Sequence, residues 1–197
     1  MSKDIQDKQV LKEKYIINKL KKVLPVKCSK HFNLDVSELW KLISAPGNLN
    51  DSHPFCSKNE VIVWDETNHI DKLLYLNGRL YIRKFKTWEE NKGYTLLIGE
   101  ENGPQSYVIW EIDKIAENKS KLTITVHPFI LAKLSQLSSY VPYYLFVKPR
   151  MTTYLNSVLG GFKYFCDNKQ KVPRNYFGSH RWFCLLYTSD AADEVLG

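Results

Sequence analysis

The sequence predicts an α+β fold: a curved antiparallel β-sheet meander wrapped around a long C-terminal helix, with two short helices after strand 1. Three observations predict it. Six β-rich runs follow one another between residues 61 and 127, separated only by turn residues. The period then becomes helical, with Leu145, Met151, Leu155, Val158, Phe162 and Phe165 on one side of a segment from about Pro142 to Asn168. Ahead of the meander, Asp35-Val-Ser-Glu38 carries an N-cap residue with an acid three positions on, the signature of a helix start.

Taken in order, residues 4–23 place Ile5, Leu11, Ile16, Leu20 and Val23 at loosely helical intervals between Lys and Asp, which suggests a weakly amphipathic helix. Leu24 to Phe32 alternates as a strand does. A helix follows from Val36 to about Ser44, with Val36, Leu39, Trp40 and Ile43 as its apolar stripe and Ala45-Pro46-Gly47 as its stop. Asn48–Ser57 reads as a short helix or loop containing His53-Pro54-Phe55. The six runs are Val61–Trp64, Ile70–Leu76, Leu80–Trp88, Tyr94–Ile98, Tyr107–Ile112 and Leu122–His127. Short turns between them imply antiparallel neighbours, and Asn77-Gly78 is the strongest hairpin signal in the chain. Pro149 is expected to kink the last helix or to begin its main part, because it lacks an N–H and disfavours the α conformation at Lys148.

With 197 residues, 44% of them apolar and 25% charged, the composition fits one globular domain and excludes collagen, low-complexity disorder and a disulfide scaffold. No apolar run reaches the roughly 18 residues that cross a bilayer, and Met1–Lys30 lacks the apolar core of a secretory signal, so a cytoplasmic location is expected. Cys28, Cys56, Cys166 and Cys184 form no C-x-x-C pair and have no His at ligand spacing; neither a metal nor a cofactor is expected. The net charge of +7 is concentrated at the start, where residues 1–30 hold nine Lys against three acids. Such an arm could make weak contact with an anionic membrane or an acidic partner. Nucleic-acid binding is not expected, because Asp4, Asp7 and Glu13 interrupt the arm and no aromatic-basic ladder follows.

The expected organisation is therefore a basic, helical extension over 1–23, a ligand-binding domain over 24–170 and a tail over 171–183. Residues 184–197 are set apart as an artefact, because Cys184-Leu-Leu-Tyr-Thr-Ser-Asp-Ala-Ala-Asp-Glu194 resembles the translation of a sequencing-library adaptor. Within 24–170 a single helix cannot fill the whole concave face of a curved sheet, so the layout tends to leave a space between them.

Phe32-Asn-Leu-Asp-Val-Ser-Glu-Leu-Trp-Lys-Leu-Ile-Ser-Ala-Pro-Gly-Asn-Leu-Asn50 with His53-Pro54-Phe55 resembles the strand-helix-helix opening of the START-like, helix-grip superfamily (SRPBCC), which includes polyketide cyclases/dehydrases and lipid-transport proteins. Tyr107-Val-Ile-Trp-Glu111, Leu122–Pro128 and Tyr154–Phe165 resemble its late strands and closing helix. The resemblance covers about Val26–Asn168 and implies a cavity that binds small apolar or amphipathic molecules. The superfamily shares no single catalytic motif, so the resemblance implies no catalytic residue.

The expected ligand-binding residues are Tyr107, Ile109, Ile124 and Val126 on the sheet, Met151, Leu155 and Val158 on the helix, and His53 with Phe55 at the mouth. His53 could serve as acid, base or simple donor beside a carbonyl. His127 falls on the opposite face from Leu122, Ile124 and Val126 by strand alternation. His31, His69 and His180 are given no role, and Glu89-Glu90 and Glu100-Glu101 read as solvated turn charges. Gly160-Gly161 inside the helix would be justified by a close approach to the sheet or by room for a ligand beside Phe162. The aromatic content of 13% is concentrated in the strands, with Trp64, Trp88, Trp110, Tyr75, Tyr81 and Tyr107 in or beside them, and Tyr and Trp around one space suit an amphipathic ligand. Burying about 300 Å² of such a ligand at ~25 cal/mol/Å² contributes on the order of 7 kcal/mol before association costs. Two further readings stay open: a cyclase/dehydratase-type or hydrolase-type enzyme using His53, and an adaptor docking through its basic N-terminus.

Overall fold

The computed structural model describes residues 3–184. Helix α1 (Lys3–Leu20) precedes strand β1 (Val26–Phe32), and two short helices, α2 (Val36–Ser44) and α3 (Leu49–Ser52), follow it. The meander is β2 (Cys56–Trp64), β3 (His69–Tyr75), β4 (Leu80–Glu89), β5 (Gly93–Gly99), β6 (Gln105–Ala116) and β7 (Lys119–His127). All neighbours are antiparallel, in the order β1-β7-β6-β5-β4-β3-β2. After a 3₁₀ turn (Phe129–Leu131), α4 (Gln136–Pro142) runs through a π turn (Tyr143–Val147) into α5 (Lys148–Asn168).

The local signals account for most of this. Asp35 Oδ1 accepts the Glu38 N–H at 2.8 Å while Glu38 Oε2 accepts the Asp35 N–H at 3.2 Å, so the capping box satisfies two donors that α2 would otherwise leave unpaired. Leu39, Trp40 and Ile43 are the buried face of that helix. Gly78 closes the β3–β4 hairpin at φ +79°, which costs a glycine little. Pro149 stands in the first turn of α5, where its missing N–H costs nothing, and the widened turn before it carries the chain on from α4. The helical path thus begins at Gln136, earlier than the expected Pro142. Strand β2 also starts earlier than Val61, because Asn59 turns inward and donates its side-chain amide to the Lys72 carbonyl at 3.1 Å, holding this polar stretch to β3.

The sheet is covered on both faces. On one lie α2, α3 and α5 with the main core, which includes Phe32, Leu39, Leu122, Leu159 and Phe162. On the other, α1 rests Leu20, Ile16 and Ile17 against Leu97, Tyr107 and Ile109, and Glu13 pairs with Lys86 at 2.7 Å. The segment after α5 packs as well: Val172 N–H donates to the Asp51 carbonyl at 2.8 Å, and Asn175 N–H to the Pro54 carbonyl at 3.0 Å. The stretch expected to be adaptor-derived lies outside the described residues except for Cys184, whose Sγ donates to Asn175 Oδ1 at 2.8 Å. Among the described residues no helix is long and apolar enough to cross a membrane.

Candidate functional site: a divided cavity between sheet and helix

Between the concave sheet face and α5 lies a cavity of about 310 Å³. Its apolar wall is set by register. Val108 pairs with Val126 and Trp110 with Ile124, and residues directly opposite in an antiparallel ladder share a face. These four side chains line the cavity, with Leu155 and Val158 facing them from α5, two positions that an i, i+3 spacing puts on one helix side.

The other wall, from β3 and β4, is polar. Along β3, His69, Asp71, Leu73 and Tyr75 are buried in strict alternation, so an aspartate occupies a core position. Arg83 stands opposite it in the β3–β4 register. Arg83 Nε donates to Asp71 Oδ1 at 2.7 Å, and Nη2 donates to Oδ2. Arg83 is 3% exposed and Asp71 fully buried, and Arg83 also lines the cavity. A bidentate partner of opposite charge is what makes this burial tolerable. It also holds the guanidinium cationic, its pKa raised by Asp71 against the opposing effect of burial.

A second polar group comes from α3 and α5. His53 caps α3 and is 4% exposed. Its Nδ1 accepts the Phe55 N–H at 3.1 Å, so the ring proton sits on Nε2 and is donated to Tyr154 Oη at 3.0 Å. Tyr154 Oη in turn lies 3.0 Å from Tyr75 Oη. With the Tyr154 oxygen accepting from His53, its own proton goes to Tyr75. Burial, with Arg83 adding to it, pushes the His53 pKa down to about 3, so the ring is neutral at physiological pH. Burial raises the Tyr75 and Tyr154 pKa values, and both phenols keep their protons.

Gly161 makes this arrangement possible. A Cβ there would stand 2.1 Å from the Ser52 carbonyl oxygen and 2.9 Å from Pro54 Cδ, so only glycine lets α5 approach the α3 turn that carries His53. A Cβ at Gly160 would stand 2.7 Å from Cζ of the Phe177 ring. The glycine pair therefore serves contacts with α3 and the tail rather than the sheet, and makes no room for a ligand.

The tail completes the site. The Phe183 ring stacks on Tyr75 with centroids 4.4 Å apart and lies equally close to the Tyr154 ring. Trp182 lines the cavity too, its carbonyl held by the side-chain amide of Asn77 in the β3–β4 hairpin at 2.9 Å. The exposed members of the lining are Arg79 and Ile130, beside half-buried Tyr81, Ile98, Phe129 and Trp182, so the mouth lies among the hairpin, the 3₁₀ turn and the tail.

Of the sequence-predicted residues, Ile124, Val126, Met151, Leu155, Val158 and His53 line this space. Three placements need correction. Tyr107 and Ile109 pair with His127 and Thr125 on the opposite face, under α1, and Val108 and Trp110 take the inward positions. Both sets are apolar because both faces are covered, so hydrophobicity does not separate them. Phe55 is 1% exposed and packs behind His53 and Tyr154 without reaching the cavity. His53 itself is interior, not at the mouth. His127 does lie on the outer face, its Nδ1 3.1 Å from the Val23 carbonyl oxygen. Sequence reasoning missed Asp71 and Arg83, although each shares its strand parity with apolar core residues, Leu73 and Tyr75 for one and Tyr81 and Phe85 for the other. It also missed Tyr154, and Trp182 and Phe183 of the tail. Burial pushes the Cys56 thiol up to about 12 and the Cys166 thiol up to about 11, which keeps both protonated and poor nucleophiles.

No family model matches the sequence, and no curated protein matches it. Solved structures do match. XoxI from Bacillus cereus superposes with a TM-score of 0.57 at 13% identity, over 75% of this chain and 98% of its own. The Zhui aromatase/cyclase from Streptomyces sp. R1128 gives 0.52 at 13% identity, over 76% of this chain and 99% of its own. DynU16, from the dynemicin biosynthetic locus, gives 0.56 at 12% identity, over 75% of this chain and 48% of its own. The fold is the helix grip. At these identities the likeness is one of architecture alone. In this helix grip α1 lies on the outer face of the sheet and the tail packs over the cavity.

Proposed function

We propose that the cavity binds one small amphipathic molecule, a ring or short chain carrying a neutral oxygen, with its apolar body between β6, β7 and α5 and its oxygen toward Tyr75 and Arg83. The observation that carries this reading is the division of the cavity into an apolar wall and a fixed polar wall. The Arg83 charge is already offset by Asp71, so the site favours a carbonyl or hydroxyl over a carboxylate. The proton order from His53 through Tyr154 leaves the Tyr75 hydroxyl to donate to such an oxygen. A volume of about 310 Å³ equals that of about ten liquid waters and suits a one- or two-ring molecule better than a diacyl lipid.

A cyclase or dehydratase-type use of the same cavity is the second reading, favoured by the hydroxyl chain that ends at the polar wall. In it Tyr75 polarises a carbonyl while neutral His53 positions Tyr154, and His53 is not the proton donor.

Native mass spectrometry of freshly purified protein tests the binding reading. The expected result is an adduct of one small molecule, lost on denaturation and absent from Val158→Trp, whose indole would occupy the space. Protein that carries no adduct and binds no member of an aromatic ketone and phenol panel would overturn it.

A further inference from the structure

The surface beside the mouth has an unusual distribution of side chains. Leu137, Tyr140, Val141, Tyr144 and Leu145 recur at i, i+3, i+4, i+7 and i+8, the spacing of a stripe that normally faces a core. Here it faces away from the protein. Leu137 is 90% exposed and Leu145 63%, while Ser139, Tyr143 and Val147 take the inward side. The π turn adds Phe146, 54% exposed, to the same outer surface. Among the described residues nothing covers this face, and apolar surface gathered in this way marks an interaction site.

Charge identifies the kind of occupant. Between Glu117 and Asp167 the chain carries no acidic residue and six Lys or Arg. Two of them border the stripe. Lys148 Nζ lies 4.9 Å from the Tyr144 ring centroid and the Arg150 guanidinium 5.5 Å from that of Phe146, with Lys133 exposed beside Leu134 on the approach to α4. Aromatic and aliphatic side chains ringed by flexible cations are the composition of a helix that lies in a lipid headgroup region, with apolar groups reaching the acyl boundary and cations at the phosphates. A second copy of this chain would bring the same cationic fringe and the same +7 net charge against it, which opposes self-association.

We propose that α4 and the π turn dock this protein on an anionic lipid bilayer. The docking face is joined to the cavity mouth through the 3₁₀ turn, whose Phe129 and Ile130 line the cavity and which ends four residues before α4. Docking there sets the mouth at the lipid surface, where an amphipathic molecule partitions; that last step alone rests on the proposed binding function. The surface is distinct from the N-terminal helix, which lies against the outer face of the sheet.

Co-sedimentation of the full chain with vesicles of phosphatidylcholine, with and without phosphatidylserine, tests the docking. The expected result is binding to the phosphatidylserine vesicles that weakens as salt rises, falls at least about tenfold in Leu137→Glu/Leu145→Glu, and falls less in Lys148→Glu. The substituted side chains are exposed, so melting temperatures should stay near wild type, and Phe146→Gln gives a milder variant at the same face. Wild-type protein that remains in the supernatant at low salt would overturn the proposal. So would a folded double variant that binds as wild type does, which would move the contact to another surface. A dimer in sedimentation equilibrium that the same substitutions dissolve, without vesicle binding, would assign the face to a second copy instead. Failure of vesicle binding leaves the cavity adduct unaffected, and absence of an adduct leaves vesicle binding unaffected, so the two ideas fail separately.

Discussion

The two walls of the cavity are built on different physical terms. The wall from β6, β7 and α5 is apolar, and Val108, Trp110, Ile124 and Leu155 hold their places by packing and burial alone. The wall from β3, β4 and α3, completed by Tyr154 of α5, holds an ion pair, two phenols and a neutral imidazole, each kept in place by a directed bond. The first wall tolerates a range of shapes. The second permits little change, because removing one member leaves its partner buried without compensation. The contrast teaches where selectivity resides: the apolar wall supplies affinity and the polar wall fixes orientation.

The largest expected effect comes from breaking the polar wall at its ion pair. Arg83→Met leaves the Asp71 carboxylate buried alone and should cost about 3–5 kcal/mol in urea unfolding, whereas Arg83→Met/Asp71→Leu should recover most of that loss. If the single and double variants were equally unstable, the pair would not be the element that holds this wall.

A pH titration sharpens the comparison further. The folded His53 pKa of about 3 lies below its ordinary value of 6.5. The unfolded chain therefore takes up the proton first, and the contribution of this group is whole above pH 6.5 and declines as pH is lowered toward 3. The slope should be on the order of 1 kcal/mol per pH unit within that window, and His53→Phe should flatten it. Equal slopes in the two proteins would show that the ring takes up its proton in the fold as readily as in the unfolded chain.

Tyr154→Phe removes the acceptor of the His53 N–H and the neighbour of Tyr75, and should cost about 1–3 kcal/mol by chemical denaturation. It should also release the Tyr75 hydroxyl and so weaken selection among ligand oxygens. At the small end, Ile124→Val on the apolar wall should cost about 1 kcal/mol and leave that selection as it was. A larger loss of selection from Ile124→Val than from Tyr154→Phe would reverse the roles given to the two walls.

What was legible in the sequence follows the same division. The capping box, the Asn77-Gly78 hairpin and the helical period through Val158 and Phe162 are local signals, and local signals set the elements. Which face of β6 borders the cavity was not legible, because α1 makes Tyr107 and Ile109 as apolar an outer pair as Val108 and Trp110 are an inner one. The residues against their pattern were the better guide. Asp71, in phase with Leu73 and Tyr75, and Arg83, in phase with Tyr81 and Phe85, mark the cavity face of β3 and β4 through their polarity. The return of Trp182 and Phe183 onto Tyr75 depends on long-range contacts, and no spacing within the tail announces it.

The central claim is that this helix grip holds a space its own side chains leave unfilled, and diffraction from crystals under xenon measures that most directly. Xenon enters apolar voids. The account predicts its density between Trp110, Ile124, Leu155 and Val158 in the wild-type protein and none in Val158→Trp. Wild-type crystals with no xenon there, or with α5 closed onto β6 and β7, would contradict it.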